Sequence, residues 1–162
     1  MSRAAVFVTF AALLAGCQDP TLIDGSVGGF SLDEPAALYY GGPFVSFADD
    51  TLTCMDMAFT ARVYTEGQSP TDFDFAGLQF AFDDDDIVEG VFSVEGDAAV
   101  HAKFLVVEGG AFTEYRARTG TLTIDSIDEK KLVEGSFEVA FGDDGSLSTG
   151  YFSAEWCLNM ER

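Results

Sequence analysis
The chain predicts an all-β domain, an antiparallel β-sandwich of about eight or nine strands. Apolar and polar residues alternate with period two in five separate runs. Glycine- and aspartate-rich turn signals separate these runs at short intervals. Beyond the first 16 residues, no stretch keeps a helical period over three turns. A small β-barrel is the alternative closure of the same strands.

The first element is a leader. Residues 1–16 place one positive charge, Arg3, before a run of about a dozen apolar residues that ends in small ones, the layout of a secretory signal. A helical span of the roughly 30 Å hydrocarbon core needs roughly 20 residues, so a transmembrane anchor is the poorer reading. Leu14-Ala15-Gly16-Cys17 resembles the bacterial lipobox, whose cysteine is joined to diacylglycerol, exposed by cleavage and then N-acylated. An ordinary signal peptide with a cysteine nearby is the competing reading. One acyl chain holds a protein only marginally, whereas a triacylated Cys17 should stay in its membrane. Gln18, and not aspartate, follows the cysteine. In the enterobacterial sorting pattern that points to the outer membrane and away from retention in the inner one. Residues 17–29, with Pro20, Gly25, Gly28 and Gly29, read as a lipid-anchored tether, and residues 30–162 as a single β-rich domain.

Removing 16 of 162 residues leaves 146, enough for one domain with a core. This part holds all 28 acidic residues and seven of the eight basic ones, a formal charge of −21. Nucleic acid and anionic headgroups need clustered Lys and Arg, so neither is an expected partner. With 48% apolar residues, 16 of them Phe, the composition is that of a folded domain and not of a disordered chain. Once Cys17 is committed to lipid, Cys54 and Cys157 remain, and an oxidising compartment favours their disulfide. It would close a loop of about 100 residues, for which chain entropy gives at most about 4.7 kcal/mol. Two free buried thiols are the alternative.

Along the domain, Leu32 to Tyr40, interrupted by Pro35, reads as two short strand pieces. Phe59, Ala61 and Val63 alternate with Thr60, Arg62 and Tyr64, and Gly67 to Pro70 makes a turn. Leu78, Phe80 and Phe82 then share one face, followed by the run Asp83-Asp84-Asp85-Asp86. Residues 87–94 (Ile-Val-Glu-Gly-Val-Phe-Ser-Val) echo 132–139 (Leu-Val-Glu-Gly-Ser-Phe-Glu-Val), both read as strands where glycine relieves crowding or makes a bulge. Turns are expected at 95–97, 109–110 and 126–130. Gly120, Leu122 and Ile124 face one way, as do Val133, Gly135, Phe137, Val139 and Phe141. Gly142-Asp143-Asp144-Gly145-Ser146 suits a type I turn with a glycine at positive φ. Phe152, Ala154 and Trp156 give the last inward face, beside Cys157.

Candidate chemistry is thin. Calcium takes six to eight hard oxygens, and Asp83, Asp84, Asp85 and Asp86 are the candidate metal ligands. Val88 occupies the position where an EF-hand loop requires glycine, and a solvated acidic turn is the plainer reading. His101 is the only histidine, so a histidine metal cluster is excluded within one chain. No Gly-x-Ser-x-Gly elbow, phosphate-binding glycine loop or redox Cys-x-x-Cys is present. Among so many carboxylates, Glu89 or Glu134 cannot be nominated as a glycosidase acid on residue type alone. Tyr39 and Tyr40, with Tyr64, Tyr115, Tyr151 and Trp156, are candidates for a sugar- or partner-binding surface, against the plainer reading of tyrosines rimming a core.

The lipobox, the single mid-chain cysteine and the segments Gly120-Thr121-Leu122-Thr123-Ile124, Val133-Glu134-Gly135-Ser136-Phe137 and Gly150-Tyr151-Phe152-Ser153-Ala154-Glu155-Trp156-Cys157 resemble small lipoproteins of myxobacteria and their relatives. The resemblance implies an envelope address and a β fold, and no catalytic residue. The resulting expectation is a membrane-anchored, non-enzymatic binding or envelope-structural protein with a protein or glycan partner. A calcium-dependent adhesion or carbohydrate-binding domain and a carrier of a small apolar ligand are the alternatives.

Overall fold
A computed structural model describes residues 21–49, 52–54, 74–84, 86–95, 98–128 and 132–157. The expected leader, Cys17, the run at 59–64 and the turn at 67–70 lie outside the described residues. Among the described residues, ten strands follow in chain order: β1 Asp24–Val27, β2 Ala37–Gly41, β3 Phe44–Ala48, β4 Phe75–Phe82, β5 Gly90–Ser93, β6 Val100–Glu108, β7 Ala111–Arg116, β8 Thr119–Asp128, β9 Leu132–Ala140 and β10 Gly145–Trp156.

The fold is all-β, as the periodicity predicts. Nine strands run in the order β5-β8-β9-β10-β2-β3-β4-β6-β7, and β1 adds to β10 beside this path. The sheet curls into a half-barrel. Its ladders are antiparallel except where β10 meets β2: Glu155 pairs with Tyr39 and Trp156 with Tyr40 in parallel. That short pair joins two halves, β5-β8-β9-β10 and β2-β3-β4-β6-β7, whose concave faces share one core.

Alternation decides what enters that core. Leu78, Phe80 and Phe82 of β4, Leu122 and Ile124 of β8, Val133, Phe137 and Val139 of β9, and Phe152 and Ala154 of β10 are all buried. Phe47 of β3 is in edge-on contact with Phe137 at 5.5 Å and Phe152 at 5.2 Å, across the two halves. Phe104 meets Phe141 in the same manner at 6.2 Å. Edge-to-face rings at these spacings add about 0.5–1.5 kcal/mol per pair beyond area burial. The phenylalanines fill the interior themselves.

Two local expectations are refined. Residues 32–40 supply one strand, not two, because pairing with β3 begins only at Ala37, beyond Pro35. Residues 142–144 form a single 3-10 turn closed by Gly145 at φ 125°, a conformation that favours glycine.

Cys54 and Cys157 are bridged, with Cα atoms 5.6 Å apart. The bridge belongs to a second apolar cluster of Ala48, Leu52, Phe75, Val107 and Cys157. The Cys157 N–H donates to the Tyr40 carbonyl at 2.6 Å. The disulfide therefore sits at the end of the parallel pair that joins the halves.

Candidate functional site
The most organised polar cluster lies on the outer face of β8, β9 and β10. Glu134 of β9 stands opposite Ser126 of β8 on one side and Ser153 of β10 on the other. Its inward neighbours are Val133 and Gly135, so strand alternation alone turns its carboxylate outward.

Both flanking strands are irregular here. β8 shifts register between Ile124 and Ser126, and β10 between Thr149 and Phe152. An extra residue in a strand re-aims the side chains around it. In β10 the bulge is held by Thr149, whose hydroxyl donates to the Tyr151 carbonyl at 2.8 Å and accepts from the Tyr151 N–H at 3.3 Å. Tyr151 is thereby turned outward, 38% exposed, and its hydroxyl donates to Glu134 Oε1 at 2.7 Å. Ser126 Oγ donates to Glu134 Oε2 at 2.9 Å. Glu89, just ahead of β5, accepts the Ile127 N–H at 3.3 Å, so a second carboxylate holds the same bulge of β8 from its other side. Ser153 Oγ is buried and makes no well-aligned hydrogen bond among the described residues.

The electrostatics follow from these bonds. Donation by Tyr151 and then Ser126 favours the ionised carboxylate and holds Glu134 below the usual glutamate range. The same bond to Glu134, with some burial, pushes the Tyr151 phenol up, while the nearby Ser153 hydroxyl works weakly the other way. Glu134 is thus a fixed negative acceptor and Tyr151 a fixed donor. A general acid for glycoside cleavage needs a raised carboxyl pKa, and Glu134 moves in the opposite direction.

The residues singled out from sequence are placed as follows. Tyr40 is buried and packs edge-on against Trp156 at 5.0 Å. Tyr39, on the opposite face of β2, is half-buried against the disulfide cluster. Tyr115 reaches inward toward Phe104. Asp83, Asp84 and Asp86 are exposed beyond β4, and Asp85 lies outside the described residues. Asp83 Oδ1 meets His101 Nε2 at 3.2 Å on an open surface. Among the described residues, no three acidic, histidine or cysteine side chains converge on a metal position. On the outer face of the other half, a recess at Gly77 is lined by Ser46, Phe75, Gln79 and Leu105, with Gln79 Nε2 donating to Ser46 Oγ at 3.3 Å.

The sequence alone does not nominate Glu134 and groups Tyr151 only with the other tyrosines. The register of three strands and two bulges brings them together, and the bulge of β8 has no residue signature of its own. The run Thr149-Gly150-Tyr151, where two polar residues and glycine interrupt the alternation before Phe152, was the available signal. No protein-family model, curated protein or solved structure matches the chain.

Proposed function
We propose that the protein is a lipid-anchored component of the bacterial cell envelope whose β domain is a binding or structural module and not an enzyme. The observation that carries the reading is Leu14-Ala15-Gly16-Cys17 at the end of a short apolar run. The pairing of Cys54 with Cys157 supports it, because disulfides persist in oxidising compartments and are rare in the cytosol. The lowered carboxyl of Glu134 and its tethered phenol suit recognition better than proton transfer. An interior filled by Phe47, Phe80, Phe104, Phe141 and Phe152 weighs against a carrier of small apolar ligands. With Gln18 after the anchoring cysteine, the outer membrane is the membrane we assign.

Native mass spectrometry of the full chain, expressed with its leader in a Gram-negative host and taken up in mild detergent, tests this. The expected mass begins at Cys17, carries three acyl chains and lacks the two hydrogens of a disulfide. A lipid-free mass beginning past Cys17 would overturn the anchor. Robust hydrolase activity in the same preparation would overturn the non-enzymatic reading.

A further inference from the structure
We propose that the outer face of β8–β10 around Tyr151 and Glu134 binds a neutral saccharide. This deepens the reading of the domain as a binding module and rests on it. Tyr151 presents a large ring at a surface where β-strand alternation otherwise puts Thr, Ser and Glu. Its hydroxyl is tied to Glu134 and its backbone to Thr149, so the ring is held before any ligand arrives. A pre-ordered aromatic face loses little conformational entropy on binding, which is what stacking against the flat C–H face of a sugar ring requires.

The polar groups around the ring match hydroxyls. A carboxylate has about four lone-pair positions, and Tyr151 and Ser126 occupy one each. The remaining positions on Glu134 accept from neutral O–H donors. Ser126 Oγ, already donating, keeps its lone pairs as acceptors. A set of fixed acceptors beside an aromatic ring suits the hydroxyl donors of a sugar.

Charge narrows the ligand further. None of these contacting side chains is basic, and the chain carries a formal charge of −20. A phosphate, sulfate or uronate ligand would meet the Glu134 carboxylate, with the acidic Asp128 close by. Anionic glycans are therefore excluded and neutral ones remain.

The test uses the full lipidated chain in a zwitterionic detergent without a sugar headgroup. Cellotetraose, maltotetraose and tetra-N-acetylchitotetraose are titrated in turn, with tetralysine as a cationic control. Binding is read by calorimetry and by saturation transfer from tyrosine ring protons. The expected result is saturable binding of at least one tetrasaccharide, with saturation transfer from a tyrosine. Tyr151→Ala and Glu134→Gln should each weaken it tenfold or more while the far-ultraviolet circular dichroism is unchanged. If Tyr151→Ala fails to fold, Glu134→Gln and the wild-type saturation transfer decide alone. No binding of any of the three, binding unaltered in folded variants, or binding of tetralysine alone overturns the proposal. The acyl mass at Cys17, recorded on the same sample, separates failure of the saccharide site from failure of the anchor.

Discussion

Gly90 and Gly135 stand opposite the same residue, Ile124, one on each side of β8. The register continues beyond them: Phe92 and Phe137 both pair with Leu122, and Val91 and Ser136 with Thr123. The short sequence echo between residues 87–94 and 132–139 thus maps onto the two edges of one strand. Glu89 and Glu134, each one residue before its glycine, both engage the bulge of β8, through the Ile127 N–H and Ser126 Oγ respectively. Equivalent demands at the two edges of a bulged strand account for the likeness without a duplicated domain.

The two glycines are not equally enclosed, and substitution should separate them. A Cβ on Gly135 would lie 2.1 Å from the Thr123 carbonyl oxygen and 3.0 Å from the Phe152 ring, whereas on Gly90 its nearest contact would be the Phe92 ring at 3.4 Å. Gly135→Ala should cost about 3 kcal/mol or more, at or beyond the upper end for overpacking. Gly90→Ala should cost less, about 1–3 kcal/mol, mainly for its backbone at φ 154°. Urea midpoints of the two variants check the order.

Phe47 bears on both halves through Phe80, Phe137 and Phe152. Phe47→Ala should destabilise by about 3–5 kcal/mol, the range for removing a fully buried ring. Val91→Thr, at a side chain 73% exposed, should stay within about 0.5 kcal/mol. Thermal and urea unfolding distinguish the two outcomes directly.

Reduction of the disulfide should lower stability by up to about 4.7 kcal/mol, since it ties residues 103 apart. Hydrogen exchange gives the location. The Cys157 amide, bonded to the Tyr40 carbonyl, should lose protection on reduction before the amides of the β8–β9 ladder do.

The Glu134–Tyr151 pair predicts two opposite pH effects. Glu134 is held below its ordinary value, so its contribution is present above the usual glutamate range and is lost as pH falls through the lowered value. Tyr151 is raised, so its contribution is present below the ordinary phenol value and is lost as pH rises through the raised one. Tyr151→Phe removes the larger cause and should bring Glu134 up toward an ordinary carboxylate, read from the pH titration of its side-chain carboxyl carbon by NMR. Glu134→Gln should bring Tyr151 down, read from phenolate absorbance.

Much of the sheet was legible in the sequence because period two has a single physical meaning, one face in and one face out. Val133, Phe137 and Val139, or Leu78, Phe80 and Phe82, needed no more than that. The same rule decides Tyr39 and Tyr40. Adjacent strand residues point to opposite faces, so the two rings cannot share a platform, and Tyr40 goes inward to Trp156. Partner choice was not legible. Nothing in the composition of β2 says that it pairs in parallel with the end of β10, because that contact joins distant parts of the chain through backbone groups that every residue carries. The outer-face cluster was hidden for the same reason: Ser126, Glu134 and Tyr151 meet through register and two bulges.

The placement of β10 also bears on how the sheet can assemble. β1 and β2, near the start of the domain, both find their partner in this last strand, at residues 145–148 and 155–156. The hairpins β6–β7 and β8–β9 form from neighbouring residues and can assemble early. Without β10 the strands can pair only as β2-β3-β4-β6-β7 and β5-β8-β9, which leaves β1 and the facing edges of β2 and β9 without their partner until the twelve residues of β10 are available. β10 follows the other nine described strands in sequence, yet in space it is the strand that holds β1 and joins the two halves.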